Sequence, residues 1–123
     1  MINDITYQLG KQVLDATNLR QQTIAHNIAN VNTAGYKSKQ VVFESELKKN
    51  INSGTTSQKL KNGIKIKPTI VESSNTSMNL DWNNVDIDLE MANMAANQIQ
   101  YNTLVRQVSD RLSNYHYVIR GQW

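Results

Sequence analysis

Apolar residues near the start of the chain fall at Ile2, Ile5, Leu9, Val13, Ala16 and Leu19. Steps of three and four place them on one stripe of a helix. Lys11, Gln12, Asp15, Asn18 and Arg20 fill much of the remainder, and Asp4 or Asn3 can cap the start. The pattern predicts a helix over about residues 4–29, on the order of 40 Å long. Gly10 costs up to about 1 kcal/mol inside it, so this helix needs a packing partner.

The far end carries a stronger version of the same signal. Met94, Gln98, Tyr101, Val105, Val108, Leu112, Tyr115 and Ile119 follow strict four-three spacing, and all but Gln98 are apolar or aromatic. That is the seam of a coiled coil. Asp86 or Asp88 supplies an N-cap, and Glu90 adds negative charge to the first turn. A second set, Leu89, Ala92, Ala96, Ile99 and Thr103, lies roughly opposite the seam. One partner helix cannot cover both faces. Either the helix is buried within a bundle or it packs between subunits, and the pattern favours neither.

Between the helices the character changes. Phe43 and Leu47 suit a short helix, whereas residues 50–63, NINSGTTSQKLKNG, read as a loop. In GIKIKPTIV, Ile64, Ile66 and Ile70 are expected on one face of a strand with Lys65 and Lys67 on the other, and Pro68 restricts that strand to a sheet edge. ESSNTSMN returns to loop.

The run AHNIANVNTAGYK, residues 25–37, ends the first helix in three asparagines and a Gly-Tyr-Lys. Asparagine competes for backbone hydrogen bonds and is a weak helix former. Asn32 and Gly35 suit the backbone angles of a turn, and Tyr36 can anchor the exit loop by its ring while its hydroxyl stays hydrogen-bonded.

Composition narrows the chemistry. A chain of 123 residues is one domain with a small core. The absence of cysteine excludes disulfides and thiolate metal sites. The net charge of +3 fits a solvated surface better than a nucleic-acid footprint, and the lysines between residues 48 and 67 have no interleaved aromatics. No apolar run is long enough to span a membrane, and the N-terminus has no secretory signal pattern. His26 and His116 lack companions for a transition-metal site. Asp81, Asp86, Asp88 and Glu90 are better explained by helix capping than by calcium. No nucleophile–base pair, phosphate loop or carboxylate pair appears, so no catalytic site and no cofactor are expected.

At both ends the residues carry a family resemblance. LRQQTIAHNIANVNTAGYKSKQVVFESEL resembles the N-terminal signature of bacterial flagellar basal-body rod proteins, close to A-x-N-I-A-N-x-x-T-x-G-Y-K. NNVDIDLEMANMAANQIQYNTL is similar to their C-terminal signature. The short length and the VVFESEL continuation look most like a proximal member of the family. Ala34 stands where the family commonly has proline, which leaves the turn to Gly35.

The resemblance implies a mainly α fold, in which two long terminal helices pair as a coiled coil around a small irregular or β middle segment. The chain then divides into a rod-type helix with its asparagine motif (1–37), a variable polar middle with a short strand (38–85), and a coiled-coil helix (86–123). It implies a structural, non-enzymatic subunit of the proximal rod, the drive shaft that transmits torque for motility. Such a subunit self-associates, contacts other rod subunits and the basal ring or its adaptor, and reaches the periplasmic rod through the flagellar type III export apparatus without a cleaved signal. No nucleic acid and no membrane span are implied. The implied assembly interface comprises Ile5, Leu9, Ala16 and Leu19, then Asn27, Ile28, Asn30, Gly35 and Tyr36, then Met94, Tyr101, Val105, Val108 and Leu112. In it, Asn27 and Asn30 bond backbone groups and neighbouring chains at a junction between protomers. The rival reading is a small helical cytoplasmic adaptor or a basic nucleic-acid-binding module.

Overall fold

A computed structural model describes residues 5–54, 62–74 and 82–121. Ile2, the caps expected at Asn3 or Asp4, and Asp81 lie outside these. The elements in chain order are α1 (Ile5–Ala29), β1 (Lys39–Val42), α2 (Glu44–Asn52), β2 (Thr69–Glu72) and α3 (Ile87–Arg120). The fold is mainly α, with two long terminal helices packed together and a two-stranded sheet between them in sequence.

The order of contacts sets the direction of the helix pair. A Cβ on Gly10 would lie 3.1 Å from Val108 Cγ2, Asn97 bonds the Thr17 carbonyl, and Asn27 bonds Glu90. Residues later in α1 thus meet residues earlier in α3, and the helices run antiparallel. Gly10, costly for an isolated helix, is what lets the Val108 side chain lie against the α1 backbone.

The start of α3 is built as expected. Asp86 has extended backbone, and its side chain accepts from the amides of Asp88 (3.1 Å) and Leu89 (3.2 Å). Asp88 and Glu90 place negative charge in the first turn, where the helix dipole favours it. Gly121 closes the helix in the left-handed region at φ +63°. Asp86→Ala should lower stability by about 1 kcal/mol, read as a lower urea midpoint with an unchanged slope.

The middle segment is not a loose polar insert. Val13 and Ala16 of α1 share one buried cluster with Val41, Phe43, Ile64 and Ile66, and Ile5, Leu9, Leu19, Leu47 and Leu104 pack against it. Every described residue of the stripe read from the first helix, Ile5, Leu9, Val13, Ala16 and Leu19, therefore lies in or against the cluster that residues 41–66 help to form. Arg20 ties this layer together. Its guanidinium carbon sits 4.7 Å from the Phe43 ring centroid, and it donates to the Val41 carbonyl (2.7 Å) and pairs with Glu44 (2.6 Å).

Residues 64–68 alternate buried isoleucines with exposed lysine as expected, but they are not strand. Their extended backbone is held by a side chain: Gln12 donates to the Ile64 carbonyl and accepts from the Ile66 amide (2.6 Å). The ladder begins only past Pro68, where β2 pairs antiparallel with β1 and Ile70 stands opposite Val41. Ile70 is 51% exposed, so the expectation that it shares a buried face with Ile64 and Ile66 fails. Proline interrupts the run and resets the side-chain alternation.

Candidate assembly surface

The asparagine motif folds into a knot between four parts of the chain. Asn27 is fully buried. Its amide donates to the Lys39 carbonyl (2.8 Å) and to Glu90 Oε2 (3.2 Å), and its oxygen accepts from the Tyr36 hydroxyl (3.0 Å) and the Lys39 amide (2.9 Å). Those four bonds exhaust an asparagine side chain. Asn27 therefore joins α1, β1, the exit loop and α3 within one chain, and no capacity is left for the bond to a neighbouring protomer that was expected of it. The Lys39 groups it satisfies lie on the edge of β1 facing α1, so its side chain stands in for a third strand.

Asn30 works locally. Its side chain donates to the His26 carbonyl (2.8 Å) and accepts from Thr33 (3.1 Å), which caps the end of α1. The turn then depends on Gly35 at φ +73°; Asn32 has ordinary backbone angles. The Tyr36 hydroxyl is hydrogen-bonded as expected, and it is this bond to Asn27 that ties down the exit. Burial first, then the charges of Glu90 and Glu72, raise its pKa, so the hydroxyl keeps its proton and remains a donor.

Two residues with no assigned role prove central. Asn83 is fully buried and donates to the carbonyls of Asn30 (2.8 Å) and Thr33 (2.7 Å), holding the motif's loop from the other side. Asn84 accepts from the Ser38 amide (2.7 Å). The signal was available: two adjacent asparagines directly before a capped helix are turn and backbone-pairing residues. Between them and the motif, Trp82 is 71% exposed and sits at φ +66°, its carbonyl accepting from Lys37 Nζ (2.8 Å).

The seam of α3 differs from the expected one. Glu90 and Asn97 are buried against α1, and Met94, Tyr101, Leu104, Val108 and Tyr115 are half-buried along the same line. This is a four-three row, but rotated. Met94, Tyr101, Val108 and Tyr115 belong to it as expected, whereas Asn97 and Leu104 replace Gln98 and Val105. Val105, Leu112 and Ile119 are 38%, 37% and 58% exposed. The rotation draws two polar side chains inward because α1 satisfies them. Asn97 donates to the Thr17 carbonyl (3.1 Å) and to Gln21 Oε1 (2.7 Å), while Glu90 meets Asn27.

Of the remaining interface candidates, Ala16 is 1% exposed and inside the chain's own core, so it shapes an interface only indirectly. Ile5, Leu9 and Leu19 pack against that core, and Ile28 is half-buried. Leu9 and Val108 also line an apolar groove of about 500 Å³ where α1, α2 and α3 meet. The second face of α3 stands uncovered: Leu89 is 54% and Ile99 69% exposed, with Ala92, Ala96 and Thr103 exposed beside them. Among the described residues no three His, Asp or Glu converge on a metal position, and no helix is long and apolar enough to cross a membrane.

Two carboxylates give the fold opposing responses to pH. Burial lifts Glu90 above the ordinary glutamate value of 4.5, and the charge of Asp86 lifts it further against the Asn27 hydrogen bond. Burial also acts on Glu44, but hydrogen bonds from Arg20 and from the amides of Phe43 and Glu44 outweigh it and lower that pKa. The raised group adds stability below 4.5 that is lost as pH rises through its folded value; the lowered group adds stability above 4.5 that is lost as pH falls through its own. From neutral pH down to 4.5, the native chain should gain on Glu90→Gln, and at lower pH it should lose relative to Glu44→Gln. Urea midpoints of the three proteins across that range check both signs.

The helix end and asparagine loop, residues 14–37, match the family model for flagella basal body rod proteins, and relatives bearing that description align along nearly the whole chain. The chain belongs to the flagellar basal body rod protein family and is a structural subunit of the rod. Its relatives are named flagellar basal body rod protein FlgB. That of Bacillus subtilis (strain 168) is 31% identical over 121 residues, covering 94% of each chain. That of Borrelia hermsii is 33% identical over 133 residues, covering 97% of this chain and 98% of its own. That of Escherichia coli (strain K12) is 28% identical over 131 residues, covering 96% and 95%.

Proposed function

We propose that this rod protein acts at the proximal end of the rod as a FlgB-type subunit, and that it works by assembly alone. The observation carrying this reading is the apolar face of α3 left uncovered around Leu89 and Ile99. A helix pair with an apolar outer face gains stability when neighbouring subunits cover it. Residues 1–37 and 86–123 form the axial part. Residues 38–85 face outward, which suits an α2 with no buried residue. Partners are other copies, other rod proteins and the basal ring or its adaptor. The chain reaches the periplasmic rod through the flagellar type III export apparatus without a cleaved signal, and it performs no catalysis.

Deleting the gene should abolish motility and leave basal bodies without rods. Mass spectrometry of basal bodies purified from the native strain should find this chain with its N-terminal sequence intact. Complete rods in the deletion strain would refute the proposal. The rival nucleic-acid reading expects salt-dependent binding to generic DNA or RNA, and no exposed aromatic platform among the basic described residues favours it.

A further inference from the structure

A cavity of about 360 Å³ opens between α1, β1 and α3, lined in part by Arg20, Lys39, Glu90, Asn93, Asn97 and Gln100. Its charges are unevenly matched. Arg20 is neutralised by Glu44. Glu90 is 6% exposed, and the only hydrogen bond it accepts among the described residues comes from the neutral amide of Asn27, at 3.2 Å. Among the described residues no cation lies within ion-pair distance of it, and the charge it feels is that of Asp86, which is negative. Lys39 lines the same cavity, but its ammonium is exposed and forms no pair with Glu90.

A buried carboxylate on a cavity, short of donors and without a counter-charge, defines a site for a positively charged donor group. We propose that the cavity receives a cationic side chain, guanidinium or ammonium, from a neighbouring subunit of the rod, with Glu90 as its counter-charge. This rests on the assembly reading above. The volume suits one long side chain, and the two oxygens of the Glu90 carboxylate match a group with several donors. The isolated chain then holds Glu90 in an unfavourable state that the neighbour relieves.

Glu90→Gln keeps an acceptor for Asn27 and removes only the charge, so the two states should respond in opposite directions. The isolated variant should melt no lower than the native chain at neutral pH. Co-expressed with the native chain, it should enter basal bodies about thirty-fold less or worse, the usual consequence of removing one partner of a buried charge pair. A marked fall in the melting temperature of the isolated variant would mean the carboxylate is already compensated within the chain, and would overturn the proposal. So would equal incorporation. Carbodiimide treatment of purified basal bodies distinguishes the donors. A cross-link from Glu90 to a lysine of another subunit identifies an ammonium. Arginine forms no such bond, and a guanidinium is identified by an arginine that resists phenylglyoxal in native rods and reacts in Glu90→Gln rods. Rods that show neither of these signatures would overturn the proposal. If the native chain is absent from basal bodies, it is the assembly reading that fails.

Discussion

Asn27→Ala should destabilise the isolated chain by about 3–5 kcal/mol, enough to unfold much of it, although alanine is the better helix former. The loss follows from what remains behind. The Lys39 amide and carbonyl face α1 without a partner, the Tyr36 hydroxyl loses its acceptor, and Glu90 loses the only hydrogen bond its side chain accepts among the described residues. Each buried orphan costs about 1–3 kcal/mol. Asn30→Ala should cost no more than about 1 kcal/mol, because its bonds are local and exposed. Urea denaturation of the two single variants checks the contrast. Equal effects would show that both asparagines merely terminate the helix.

Leu89→Asp combined with Ile99→Asp should leave the isolated chain as stable as the native one to within about 0.5 kcal/mol and yet abolish rod formation and motility. Both side chains are more than half exposed and outside the α1–α3 seam, so the monomer loses no buried contact. In an assembled face each carboxylate would be desolvated without a partner, at several kcal/mol. Leu112→Asp is the informative companion. Leu112 was expected in the seam but is 37% exposed, so it should also spare the isolated chain. Thermal melts, with counts of complete basal bodies by electron microscopy, separate the two effects. Normal rods in the double variant would place the assembly face elsewhere.

The sequence made the long helices legible because their stripes are long and their caps chemically explicit. The first helix and the Asp86 cap come out where the spacing put them. The seam of α3 was harder to read. Apolar residues at four-three spacing identify a row, but a row shifted by one residue at alternate steps has nearly the same apolar content. What decides between them is whether α1 offers acceptors to Asn97 and a donor to Glu90, a tertiary fact with no local signal. The same applies to Ile64 and Ile66. Their alternation revealed extended backbone and burial but not that Gln12, more than fifty residues away, holds it in place of a strand. Asn27 was recognised as special and expected on backbone groups, which it meets at Lys39, but a sequence shows that an amide is needed without showing that Tyr36 and Glu90 of the same chain take up the rest of it.

The two polar rungs between the long helices have a consequence for a stacked structure. A slide of α3 along α1 by one helical turn would preserve most of the apolar row, and hydrocarbon alone would tolerate it. Asn27 with Glu90, and Asn97 with Thr17 and Gln21, would not: a slide would bury amides and a carboxylate against aliphatic side chains. The overhang of α3 beyond the start of α1 is thereby pinned to a single residue setting. Every copy then has the same end-to-end reach, and errors of one helical turn do not accumulate along the shaft. A shaft that must rotate true needs parts cut to one gauge, and here two hydrogen-bonded layers act as that gauge.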